Sequence, residues 1–325
     1  MKFNPNARLD TSQVQDRRGG GGGGSRSGGF GGMPGMPSGK GGLAVGGGGI
    51  GLLIVVGIIL FNMFSGSSSS TGPSSTSGAG MLAGASGNST VDSGQLATEC
   101  QTGADANTND DCAVVAVINS VQGYWTDQFA TSGSTYREAD TVFFSGSTST
   151  GCGQGTSGMG PFYCPPDGMV YIDLSFWDEL KTTFGANDAV FTQAYVLAHE
   201  YGHHVQNLLG TSDRVGTATG ATSGSVRLEL QADCYAGVWA NHATTVPDAS
   251  GQVLITELTD ADLQNAIETA GAIGDDYIQT NLAGQQVDPS QFSHGSSAQR
   301  QKWLLTGYRS GNPASCNTFD TNDLG

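Results

Sequence analysis

Cysteine is missing from everything before Cys100, and the six that follow (Cys100, Cys112, Cys152, Cys164, Cys234, Cys316) form no C-x-x-C pair. That spacing excludes the ribbons of structural zinc sites. Basic residues are scarce, with 13 Lys and Arg against 29 Asp and Glu for a formal net charge of −16. Up to Phe64 the balance reverses: Lys2, Arg8, Arg17, Arg18, Arg26 and Lys40 face only Asp10 and Asp16, a net of +4, so the remainder carries −20. A part that acidic repels nucleic-acid backbones and anionic lipid, which removes nucleic acid from the candidate partners. Histidine is rare as well, at five residues. Charge is absent altogether from Leu43 to Phe64.

Of the 52 glycines, 20 crowd into the first fifth of the chain, where no core could form. Residues 1–42 therefore read as a disordered, Gly-rich basic tail, whose G-x-G spacings lack the strand and βαβ unit that a nucleotide motif needs. The uncharged run Leu43–Phe64 is long enough to cross a bilayer as a helix. A cleaved signal peptide is the competing reading, but such a peptide usually sits nearer the N-terminus, and a Ser-rich stretch rather than an A-x-A-like site follows this run. Positive charge on its N-terminal flank places the tail in the cytoplasm and sends the rest across. Residues 65–90 read as a Ser/Gly-rich stalk, and 91–325 as one folded domain.

An even number of cysteines on one side of a membrane candidate fits disulfides in an oxidising compartment. Local spacing pairs Cys100 with Cys112 and Cys152 with Cys164, which leaves Cys234–Cys316 by elimination. Within the domain, periodicity and caps predict helices over 113–129, 176–184, 188–209, 226–242, 259–280 and 296–308. Met169–Leu174 reads as a strand, either a core strand or the edge on which an extended peptide could pair. The fold class is α+β, mostly helical with a small sheet.

The chemistry concentrates in His199-Glu200-Tyr201-Gly202-His203, on the helix from Asp188. Histidines four apart on a helix project from one face and can reach a single ion. Zinc suits imidazole nitrogen, and Glu200 is placed to take a proton from an attacking water. Three of the five histidines fall at 199, 203 and 204 amid apolar flanks, where unpartnered imidazoles would be costly. Gly202 costs roughly 1 kcal/mol inside a helix and so calls for a packing reason. The third ligand is assigned to Glu229, with Asp233 one turn on to orient a ligating histidine. A third histidine six residues after His203 is excluded, because Leu209 stands there. His294, just before a helix N-terminus, is a candidate neutral donor to the tetrahedral intermediate. His204 and His242 are left as solvated or locally bonded.

HEYGHH followed by ELQAD resembles the zincins whose third ligand is a glutamate (the gluzincin type). GPFYCPPDGMVYIDLSF (160–176) and HGSSAQR (294–300) make the chain resemble more closely a bacterial family of neutral zinc metallopeptidases with one N-terminal membrane span. The resemblance implies one catalytic Zn2+, a protease-type site and membrane attachment. The expectation is a single-pass membrane peptidase, N-terminus cytoplasmic and catalytic domain outside, cleaving peptide or protein substrates. A catalytically silent zincin scaffold and a zinc amidase acting on cell-wall material are the alternatives. The intact Glu200 and ligands speak against the scaffold.

Overall fold

The computed structural model describes residues 1–18, 93–186, 189–216 and 218–325. The apolar run Leu43–Phe64 and the stalk 65–90 lie outside the described residues. Among those described, no helix is long and apolar enough to cross a membrane.

The chain opens with β1 (Lys2–Phe3) and β2 (Val14–Asp16). From Ser93 follow α1 (Ser93–Glu99), α2 (Gly103–Ala106), α3 (Asp110–Thr131), β3 (Thr141–Phe144), β4 (Ser147–Thr150), β5 (Gly153–Thr156), β6 (Phe162–Cys164) and β7 (Met169–Asp173). Then come α4 (Phe176–Thr182), α5 (Val190–Leu208), α6 (Gly224–His242), β8 (Ile255–Glu257), α7 (Asp260–Ala272) and α8 (Ser297–Ser310), with a short turn Asp275–Tyr277 before α8. The α+β class and the helical majority are as expected.

Local chemistry explains most helix starts. Asn109 caps α3 by accepting from the N–H groups of Asp111 and Cys112, and the acidic pair Asp110–Asp111 fills the first turn. Thr259 with Asp262, and Ser296 with Gln299, form reciprocal capping boxes on α7 and α8. The helix expected to run to 280 instead stops at Ala272. Asp275 and Asp276 are drawn out of it: one accepts from the backbone of Ser293, His294 and Gly295, the other from Ser297.

A four-stranded mixed sheet runs in the order β2-β3-β7-β6, parallel except for β6. The strand Met169–Asp173 is therefore interior, paired on both sides, and the edge beside the helices is β6 (Phe162–Cys164). The buried core lies between this sheet, α3, α5 and α6. Gly202 faces Ala232 so closely that an added Cβ would sit 3.1 Å from the Ala232 Cα, which accounts for glycine in the middle of α5. All three disulfides, Cys100–Cys112, Cys152–Cys164 and Cys234–Cys316, are present.

The reading of the N-terminal tail fails in part. Residues 1–18, read as part of a disordered tail, are packed: β1 pairs with β8, β2 pairs with β3, and Phe3, Ala7 and Val14 are buried. Glycine dominates only from Gly19 on, and three well-spaced apolar side chains suffice to hold the segment that precedes it.

Candidate metal centre

α5 and α6 cross where Gly202 meets Ala232, and this contact brings their polar faces together inside the core. His199 Nε2 and His203 Nε2 stand 3.1 Å apart, and the Glu229 carboxylate reaches them at 3.2 and 3.6 Å. These three ligand atoms all lie within 4.8 Å of one another, and all three residues are buried.

Each histidine's other nitrogen is held. His199 Nδ1 donates to Asp233 Oδ1 at 2.8 Å, and His203 Nδ1 donates to Gln206 Oε1 at 2.8 Å. Gln206 is oriented in turn, its amide donating to Leu228 O and Gln231 Oε1. With both Nδ1 atoms protonated, two neutral rings present lone pairs to each other and to a carboxylate. Three acceptors converging in a buried space require positive charge. Burial disfavours charge on His199, yet Asp233 and Glu229 outweigh it and raise its pKa to about 10. Burial lowers His203 to about 4. Glu229 is held down at about 2 despite its burial, by His203, His199 and His294. A divalent cation would supply the charge that His199 otherwise takes as a proton, so the donor set fits zinc.

Asp233 is itself anchored. Arg300, 1% exposed on α8, donates to both of its oxygens, and the Tyr195 hydroxyl donates to Oδ1 at 2.6 Å. Glu200, one residue past the first ligand, is fully buried, and neither carboxylate oxygen has a hydrogen-bond partner among the described residues. Burial pushes its carboxyl up to about 8, while His199 and the approach of the Tyr163 main-chain N–H on β6 pull toward the ionised form. An orphaned buried carboxyl beside the ligands is the other half of the fit. A cation here would favour its carboxylate form.

His294 lies close enough to Glu229 for each to shift the other's titration. Its Nδ1 contacts Asp275 Oδ1 at 3.2 Å, and the Asp275 Oδ2 accepts three main-chain N–H groups from 293–295. Burial lowers the His294 pKa, but Asp275 more than reverses that and raises it. The neutral imidazole expected from the sequence is not what these surroundings favour: the buried Asp275 carboxylate outweighs burial and shifts His294 toward imidazolium. His204 is buried and locally bonded, with Nε2 donating to Arg137 O and Nδ1 facing the Tyr163 hydroxyl. His242 sits on the Gly311 carbonyl, away from the centre.

The structure brings His199, Glu200, His203, Glu229 and Asp233 together, with His294 alongside. Tyr195, Gln206, Asp275 and Arg300 were not picked out from the sequence. Tyr195 and Gln206 stand four residues before His199 and three after His203, on the same helical face, so spacing alone could have found them. Asp275 and Arg300 offered no local signal beyond Arg300's place in HGSSAQR.

An α+β domain with a buried His-His-Glu cation site and an adjacent unpaired glutamate is of the zinc-metallopeptidase class. The chain belongs to the family described as putative neutral zinc metallopeptidase, which it matches over residues 3–319. It is 47% identical over 230 residues to an uncharacterized protein of Mycobacterium tuberculosis, covering 70% of this chain and 77% of that protein. It is 46% identical over 209 residues to the uncharacterized protein YpfJ of Escherichia coli K12, covering 62% of this chain and 69% of that one. No solved structure matches it significantly.

Proposed function

We propose that this chain is a zinc-dependent peptidase with a zincin-like fold, acting outside the cytoplasm and attached to a membrane through the apolar run Leu43–Phe64. The observation that carries the reading is the convergence of His199, His203 and Glu229 beside the unpaired Glu200 carboxyl. Three disulfides support an oxidising compartment.

His199, His203 and Glu229 would hold the metal, which when bound polarises the scissile carbonyl and acidifies water. Glu200 takes the proton from the attacking water and passes it to the leaving amine. Burial raises its carboxyl, and the charge of a bound cation would return it to the carboxylate that can accept the proton. His294, held by Asp275, donates to the oxygen that gains charge in the tetrahedral intermediate. Asp233, gripped by Arg300 and Tyr195, keeps the His199 ring in one tautomer and orientation. An extended peptide would approach along the edge strand β6, beside Glu200.

The test is metal content together with turnover on a panel of peptides and muropeptides, using the full-length protein. Zinc near one per chain with peptide cleavage supports the proposal. Cleavage of muropeptides alone would make it an amidase, and zinc without turnover would make it a scaffold. Substituting His199, His203 or Glu229 by Ala should take zinc well below one per chain. Full retention in Glu229→Ala would move the third ligand elsewhere, with Asp233 the first residue to test.

A further inference from the structure

Charge on the N-terminal flank of Leu43–Phe64 predicts that residues 1–18 and the metallopeptidase domain lie on opposite faces of a membrane. Their packing is incompatible with that. β1 pairs antiparallel with β8, and β2 pairs parallel with β3, adding a strand to the central sheet. Two side-chain amides of the domain each read both main-chain groups of one residue in the segment. Asn107 accepts from Phe3 N–H at 3.0 Å and donates to Phe3 O at 2.9 Å. Asn119 accepts from Asp10 N–H at 2.8 Å and donates to Asp10 O at 2.9 Å. At Gly103 an added Cβ would fall 2.0 Å from Asn4 O, so that position admits only glycine while the segment is seated. Phe3, Ala7 and Val14 fill the core from this side.

Little positive charge is left free to set the orientation of the apolar run. Of the six basic residues, Lys2, Arg8, Arg17 and Arg18 belong to the packed segment. Lys2 pairs with Glu257, and Arg18 pairs with Asp16 and Asp111. Only Arg26 and Lys40 remain to bias insertion. A hydrocarbon core of about 30 Å between the two parts would forbid every one of these contacts.

We infer that residues 1–18 and the domain occupy the same side of the membrane, and that the apolar run Leu43–Phe64 does not part them. The N-terminus therefore shares the oxidising compartment of the three disulfides, which corrects the cytoplasmic placement read from the sequence. This holds whether or not the domain is a peptidase.

Arg8 and Thr102 provide the test. They are directly opposed in an antiparallel bridge, flanked by the bonds Leu9 N–H to Gln101 O and Gly103 N–H to Ala7 O. Such a non-hydrogen-bonded pair has Cα atoms about 4.5 Å apart, within disulfide range. In the full-length chain in its native membrane, the double variant Arg8→Cys with Thr102→Cys should form a fourth disulfide and show no free thiol, whereas each single variant shows one. A linkage between two copies supports the inference equally, since it needs both cysteines in one compartment. Two free thiols alongside three intact native disulfides would overturn it. A second measurement guards against misfolding: Asn6→Cys and Thr131→Cys, both exposed and made singly, are labelled with a membrane-impermeant maleimide. Labelling from the same face is expected, and labelling from opposite faces overturns the inference.

Discussion

Arg300 holds Asp233 by both carboxylate oxygens, Nε to Oδ2 at 2.9 Å and Nη2 to Oδ1 at 3.0 Å, while Asp233 accepts the Nδ1 proton of His199. The last helix of the fold thus reaches the ligand set through one intermediary. Replacing Arg300 with Gln leaves a buried carboxylate without its cation, which should cost about 3–5 kcal/mol in unfolding free energy. Zinc affinity should fall about 10- to 100-fold, as for other lost partners of ligating histidines. Lys, a point charge without the fork, should rescue only part of this. Urea unfolding and chelator-buffered zinc titration measure the two effects. Unchanged zinc affinity would mean that Asp233 orients His199 unaided.

Glu200→Gln separates catalysis from metal binding. Glu200 is no ligand, and its oxygens make no hydrogen bond among the described residues, so the variant should keep its zinc and its fold. Turnover should drop by about 100- to 10,000-fold, the usual worth of a general base. Zinc content and rate measured on one preparation decide. A variant with full zinc and full rate would refute the role given to Glu200.

Asp275→Asn should change the pH profile. Asp275 raises the His294 pKa above its ordinary value, so the protonated donor and its share of stability are fully present below about pH 6.5. Both are lost as pH rises through the raised folded value. Without Asp275 the alkaline fall in kcat/KM should begin at lower pH, and the associated loss of stability should vanish. Profiles of kcat/KM for both proteins, together with Tm against pH, make the comparison. Coincident alkaline limbs would remove His294 from the mechanism.

Phe3→Ala should destabilise the protein as a core substitution does, by about 3–5 kcal/mol, although it lies far along the chain from the domain it packs against. Denaturant melts of the full-length chain would show it. A protein begun at residue 91 should be weaker still, and a synthetic peptide of residues 1–18 should restore part of its Tm. Equal stability with and without the segment would contradict the packing seen around Phe3 and Val14.

The site was more legible in the sequence than the fold around it. His199, His203, Glu229 and Asp233 announce themselves by four-residue spacing on two helices, and spacing survives whatever the tertiary context. Capping boxes at Thr259 and Ser296 are local for the same reason. The pairings that escaped notice join distant residues: Phe3 with Ile255, Val14 with Thr141, Arg300 with Asp233. Strands of two or three residues carry no readable period, and the glycines that follow residue 18 swamp them in any averaged window. The strand at Met169 was legible as a strand. Its interior place was not, because β3 and β6 are set beside it by the fold.

The pairing of Phe3 with Ile255 also orders events in time. At about 5–20 residues per second, the first residues leave the ribosome on the order of ten seconds or more before β8 exists to receive them. Asn107, Gly103 and Thr141, which meet Phe3, Ala7 and Val14, are made well before that, so the segment can dock in part while its pairing with β8 is still missing. The β1–β8 pairing is then the last of the segment's contacts to become possible, after the helices bearing the ligands have been synthesised. Damage to it should quicken unfolding more than it slows folding.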